Sequence, residues 1–145
     1  MKNPQNRLGE ILDKLRQREF RITPQRIAIL QEFLNTDQHP GVDQVYRNVK
    51  SRFPTTSLAT VYKTVNLLKD IGEILEISFT DGHNRYDGNK PYPHPHLICN
   101  QCKRIIDPEV SLLDQLVSEV ARATDYQITS HQIELFGICP ACKKK

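Results

Sequence analysis

All four cysteines of this 145-residue chain stand in two pairs of identical spacing, Cys99-x2-Cys102 and Cys139-x2-Cys142. Two residues between cysteines let both sulfurs of a tight turn reach one ion at about 2.3 Å, and two such turns complete a tetrahedral zinc site. Disulfides or four unrelated core thiols are the alternatives, and a closed set with no leftover thiol fits structural zinc better than either. Such a site has no open coordination position, so its task is folding rather than catalysis. The 36 residues between Cys102 and Cys139 exceed the roughly 15–20 of a compact zinc ribbon. A helix and a strand must therefore fit between the two knuckles.

A second ligand set overlaps the first knuckle: Asp87, His94, His96 and Asp107. In a strand, residues two apart share a face, so His94 and His96 present two imidazoles side by side. Nitrogen and carboxylate donors without sulfur suit a harder ion than thiolates do, such as iron(II) or manganese(II), with zinc also compatible.

The length is that of one domain or two small ones, and a hydrophobic fraction of 38% is low enough that a zinc staple helps a small core. No apolar run approaches the ~20 residues of a membrane span, and the first ten residues lack the apolar core of a signal peptide. We therefore expect a cytoplasmic protein, where thiols stay reduced. Charge is uneven: residues 1–65 carry 11 Lys/Arg against 6 Asp/Glu, and residues 66–145 carry 9 against 11. A basic first half is compatible with a polyanionic partner.

Leu8, Ile11, Leu12 and Leu15 predict an amphipathic helix over residues 7–18. Thr23-Pro24 reads as a cap and first turn, with Ile27, Leu30, Phe33 and Leu34 as the buried stripe of a second helix. Val42, Val45, Tyr46 and Val49 predict a third, ended by Phe53-Pro54. Thr55, Thr56 or Ser57 can cap a fourth, with Leu58, Val61, Val65 and Leu68 inward and Ala59, Tyr62, Lys63 and Asn66 on another side. A helix, a turn and a helix bearing such a hydrogen-bonding outer stripe match a recognition helix for the major groove. Residues 74–79 alternate as a strand, with Ile74, Glu76 and Ser78 on one face and Leu75, Ile77 and Phe79 on the other. Asp81-Gly82 signals a hairpin, and residues 84–86 return as its partner, making a winged helix. Beyond the proline-rich linker, residues 96–100 and 104–107 read as strands, Leu112 to Ala123 as a helix and residues 127–138 as a further strand.

Arg21-Ile22-Thr23-Pro24-Gln25-Arg26, His39-Pro40, Ala59-Thr60-Val61-Tyr62, the His94-x-His96-x2-Cys99-x2-Cys102 run and the closing Cys139-x2-Cys142 together resemble the ferric uptake regulator (Fur) family of bacterial metal-dependent transcription factors. The likeness spans nearly the whole chain. It implies an α+β protein: an N-terminal winged helix-turn-helix domain over residues 1–86, a hinge over 87–93, and a small C-terminal α/β dimerisation domain with structural zinc over 94–145. It also implies a regulatory metal on His39, Asp87, His94, His96 and Asp107, with iron(II) or manganese(II) as corepressor. Aspartates at both carboxylate positions resemble the peroxide-sensing branch, in which His39 and His94 are the residues oxidised. A further metal site of the family aligns with Pro93, Pro95, Asp114 and His131. Two of those four positions are prolines here, and His131 reads as a strand or core histidine.

The function expected from this resemblance is a metal-dependent DNA-binding repressor, peroxide-responsive, acting as a homodimer on a palindromic operator; an iron- or zinc-uptake regulator of the same family is the alternative. Tyr62 and Lys63 would contact the operator, with Arg21 and the basic face of the first helix on the backbone. An enzyme is not expected, because a hydrolase would need a motif such as His-Glu-x2-His, and no nucleophile accompanies His94 and His96. A DNA-binding module with structural zinc alone would bind its operator without regard to iron or manganese.

Overall fold

Helix α1 occupies Pro4–Gln17, starting earlier than the apolar spacing predicts because proline is tolerated in a first turn. Ile11 and Leu15, one turn apart, are fully buried. Its end is closed by the Glu19 N–H on the Arg16 carbonyl and the Phe20 N–H on that of Leu15, both at 3.0 Å, with Glu19 left-handed at φ 62°. The computed structural model describes residues 4–145 and separates into two units, Met1–Pro91 and Tyr92–Lys145.

In the first unit, Thr23 caps α2 (Pro24–Leu34) by accepting from the Arg26 N–H. Helix α3 covers Val42–Arg52, and Ser57 caps α4 (Leu58–Asp70) by accepting from the Thr60 N–H. Ile29, Leu30, Phe33, Val45, Val49, Val61 and Leu68 close a common core with α1. Leu58 does not join it: the first residue of α4 lies beyond the edge of the core and is 39% exposed. Thr64 takes an inward place instead, its hydroxyl donating to the Thr60 carbonyl at 2.8 Å.

Strands β1 (Leu75–Ile77) and β2 (Arg85–Asp87) pair antiparallel, Leu75 opposite Asp87 and Ile77 opposite Arg85. This is the wing, and with the helices it makes the expected winged-helix arrangement. The alternation expected for residues 74–79 holds only in part, since Ile74 and Ile77 are both buried while Phe79 is only half-buried. The returning strand is one residue later than expected and ends on Asp87.

The second unit is a three-stranded sheet in the order β4-β3-β5, where β3 is His96–Cys99, β4 is Ile105–Ile106 and β5 is Glu134–Gly137. Strand β3 pairs antiparallel with β4 and parallel with β5, the crossover carrying α5 (Leu113–Thr124). Only Glu134–Gly137 of the strand expected over 127–138 forms, because residues 127–133 find no ladder among the described residues. A short helix, α6 (Pro140–Lys143), fills the second knuckle and was not evident from the spacing.

Candidate metal centres

The two CxxC turns meet in the second unit. Cys99 is the last residue of β3, Cys102 lies in the following turn, Cys139 precedes α6 and Cys142 is within it. All four sulfurs lie within 4.8 Å of one another. The Cys102 and Cys139 Sγ atoms are 3.7 Å apart and no disulfide forms. A tetrahedron with metal–sulfur bonds of about 2.3 Å has edges of about 3.8 Å, so this set fits zinc. Backbone N–H groups favour thiolate at Cys99: first that of Cys102 and then that of Cys139, at 3.4 Å, hold its thiol down at about 6. Cys139 is also lowered, by the backbone and side chain of Cys142. Cys142 is pushed up to about 12 by the Cys139 side chain and by burial. Without a cation the cluster cannot hold four negative sulfurs, and a divalent ion removes that conflict.

The nitrogen and oxygen donors form two groups. Within the second unit the His94 and His96 rings lie 4.4 Å apart between centroids, tilted by 60°, and their Nε2 atoms lie 3.4 and 3.6 Å from the same Asp107 oxygen. His96 opens β3, and His94 sits before it with Nδ1 2.7 Å from the Tyr92 carbonyl oxygen. With ligand bonds of about 2.1 Å, donor–donor separations run from about 3.0 Å in an octahedron to about 3.4 Å in a tetrahedron. Two imidazoles and one carboxylate at such spacing fit a divalent ion with positions to spare.

Within the first unit His39 and Asp87, each 3% exposed, meet at 3.1 Å between Nε2 and Oδ2. The other Asp87 oxygen accepts the N–H groups of Asn89 and Lys90 at 3.0 and 2.9 Å, which fixes the carboxylate plane and leaves Oδ2 facing the imidazole. Gly88 lets the strand pass close to α2, since a Cβ there would lie 2.7 Å from the Phe33 carbonyl oxygen. His39 itself is left-handed, φ 54°, a conformation costing a non-glycine residue about 1–2 kcal/mol.

On α4 the exposed stripe is as expected: Ala59, Tyr62, Lys63 and Asn66 all face solvent, Tyr62 at 48%. Arg21 is exposed in the loop before α2, its carbonyl accepting from the Arg26 guanidinium. Asp114 is exposed on α5 and His131 half-buried, and no group of three or more ligating side chains among the described residues includes either.

The sequence model of the ferric uptake regulator family matches residues 17–136. The chain belongs to the ferric uptake regulator family. It is 36% identical over 141 residues to the peroxide-responsive repressor PerR of Staphylococcus aureus strain Mu50, an alignment covering 97% of this chain and 95% of the relative. The ferric uptake regulator of Helicobacter pylori shares the fold at a TM-score of 0.87, with 19% identity over 99% of this chain and 96% of that one. The Campylobacter jejuni peroxide stress regulator matches at 0.72, with 28% identity over 90% and 98% of the two chains. As a ferric uptake regulator family member the protein is a metal-dependent transcriptional regulator and not an enzyme.

What the sequence of this ferric uptake regulator family member did not disclose is a set of arginine hydrogen bonds to the backbone around His39 and Asp87. Arg85 donates to the carbonyls of Gln38 and His39, and Arg7 to those of Glu73, Gly88 and Asn89. Backbone carbonyls carry no residue-type signature, so such partners have no motif.

Proposed function

We propose that the chain is a peroxide-responsive repressor in which iron(II) or manganese(II), bound by His39, Asp87, His94, His96 and Asp107, is the corepressor and zinc on Cys99, Cys102, Cys139 and Cys142 is structural. The observation that carries the regulatory site is the convergence of His94 and His96 on one Asp107 oxygen, at 3.4 and 3.6 Å. That triad is an incomplete ligand set. His39 and Asp87, buried and paired in the first unit, supply the two donors that bring it to five. Ligands drawn from both sides of the 87–93 hinge make the ion a clamp on one relative arrangement of a DNA-binding domain (1–86) and a dimerisation domain (94–145). Differential affinity of about 10⁴-fold for that arrangement switches the population completely.

Operator contact falls to Tyr62 and Lys63, flanked by Ala59 and Asn66, with Arg21 and the basic side of α1 on phosphates. Leu112 at the N-cap of α5, Leu116 and Val120 on α5, and Leu135 and Phe136 on β5 are exposed, an apolar surface that a second copy would cover. A two-fold dimer presents two recognition helices to a palindromic operator. Reduced thiols held for zinc suit the cytoplasm, and among the described residues no helix is long and apolar enough to cross a membrane.

The fifth ligand leaves room for a small sixth. Iron(II) held by these ligands would supply the redox chemistry that activates peroxide, and His39 and His94 are the imidazoles that would be oxidised: one ring C–H and one peroxide give one oxygenated ring and one water, the two electrons coming from the ring. An oxygenated ring donates more weakly, so the clamp loosens and DNA is released. The test is peptide mass spectrometry of the iron-loaded protein after brief exposure to dilute hydrogen peroxide. One added oxygen on His39 or His94, with loss of DNA binding, is the expected result, and manganese-loaded protein should show neither. Unmodified histidines with persistent DNA binding would replace this reading with an iron- or zinc-uptake regulator. Asp107→Glu should keep metal-dependent DNA binding and blunt the peroxide response.

A further inference from the structure

We infer that Arg85 is a positioning residue for the regulatory metal, its guanidinium setting the backbone conformation that presents the His39 imidazole beside Asp87. The inference rests on the reading of His39 and Asp87 as ligands given above.

Arg85 and Asp87 lie two residues apart on β2, so their side chains leave the same face of the wing. Tyr86, between them, points the other way into the core, where its ring meets Phe33 edge-on at 5.9 Å. One strand therefore aims two side chains at a single turn. Asp87 reaches the His39 imidazole at 3.1 Å, and Arg85 reaches the backbone of the same residue. Its Nε donates to the His39 carbonyl and its Nη2 to the Gln38 carbonyl, the latter at 2.8 Å.

That fork decides the conformation between the two carbonyls. In extended chain, successive carbonyls point to opposite sides, so one planar guanidinium cannot donate to both. Residue 39 must therefore be helical in one hand or the other. Pro40 disfavours the right-handed basin for the residue preceding it. The left-handed basin is what His39 adopts, φ 54°. Two backbone contacts continue the latch, the Tyr86 N–H on the Pro40 carbonyl at 3.1 Å and a bridge between Gly41 and Arg85. Burial lowers the Arg85 pKa from its ordinary value, yet the group keeps its charge, and charged donors make the stronger bonds to carbonyls.

The experiment uses the full-length, zinc-loaded protein and manganese(II) as the probe, comparing Arg85→Ala, Arg85→Lys and His39→Ala with the unmodified chain. Manganese affinity is measured by competition with a chelator, and amide hydrogen exchange at Tyr86 is followed in the absence of manganese. Loss of a group that orients a metal ligand weakens binding by about 10–100-fold, the effect expected for Arg85→Ala. Arg85→Lys should fail to restore affinity, because an ammonium keeps the charge and lacks the planar fork. Tyr86 exchange should quicken in both, with zinc content and helical circular dichroism unchanged. Manganese affinity within about threefold of the unmodified chain in either Arg85 variant overturns the inference, since neither a silent alanine nor a full rescue by lysine is compatible with a fork. Should Arg85→Ala fail to fold, the lysine variant decides alone. If His39→Ala also binds manganese normally, the ligand assignment itself falls; a loss confined to His39→Ala removes only the role given to Arg85.

Discussion

The first unit closes around Ile11, Leu15, Ile29, Leu30, Phe33, Val45, Val49 and Leu68, side chains that four helices supply and that solvent does not reach. In the second unit the buried residues are few: Pro95, His96, Ile98, Ile105 and two of the four cysteines. Helix α5 buries none of its residues. One unit is thus held by apolar area and the other by a cluster of four sulfurs that a divalent cation closes. Apolar burial is spread over many residues and degrades by increments. A metal closure is all or none, because the unfolded chain has no formed site.

Zinc removal is the widest test of that contrast. A structural zinc site contributes about 10–16 kcal/mol of binding free energy, which is folding free energy for the segment that carries it. Chelation at neutral pH, or Cys102→Ser, should abolish the protection of β3, β4 and β5 amides from hydrogen exchange and leave α2 and α3 protected. Protection lost in both units together would show that the first unit depends on the metal as well. The converse perturbation is smaller. Phe33→Ala empties the centre of the first core and should cost about 3–5 kcal/mol there, lowering the melting of the winged helix while zinc stays stoichiometric by elemental analysis.

The same contrast explains what the sequence disclosed. Two CxxC turns are local signals of residue type and spacing, so the thiolate set was legible before any fold. Helix stripes were legible too, apart from Leu58 and Ile27, the latter half-buried while Ala28 and Ile29 join the core; periodicity names a face and says nothing about where the core ends. The strand over residues 127–138 was overextended because pattern alone cannot say whether a ladder partner exists. His39 and Asp87 are 48 residues apart and were linked by resemblance to a family rather than by spacing. Arg85 could not be found at all, since its acceptors are backbone carbonyls. The apolar stripe of α5 was legible as a helix face, but not as one left outside its own unit. Leu116→Lys probes that face: a charge in the proposed dimer contact should cost about 2–3 kcal/mol of association. Sedimentation should then show monomer at concentrations where the unmodified chain is dimeric, with zinc retained. A dimer of undiminished affinity would place the contact elsewhere.

The smallest effect lies within the first unit, where the wing departs from its apolar surroundings and relies on a carboxylate. Glu76 on β1 accepts from Lys69 at the end of α4 and, at 2.6 Å, from the Asn84 amide, whose own oxygen accepts the Phe79 N–H at 3.0 Å. Burial acts to raise the Glu76 pKa, but the hydrogen bonds from Lys69 and Asn84 outweigh it and the carboxyl is held below its ordinary value. A carboxyl depressed in the folded state contributes stability above its unfolded pKa of about 4.3 and loses it as pH falls through the folded value. The wing should therefore be insensitive to pH between about 7 and 5 and loosen below about 4. Lys69 and Glu76 are 39% and 23% exposed, so screening keeps the contribution under about 1 kcal/mol. Since zinc release in acid would obscure a global melt, the measurement is local: hydrogen exchange at the Phe79 amide, compared with Glu76→Gln. The variant should open the hairpin slightly at neutral pH and remove the acid step. An acid step of the same size in Glu76→Gln would assign it to another carboxylate, and the Glu76 contacts would then add nothing to the apolar packing and the Arg85 hydrogen bonds that hold the wing.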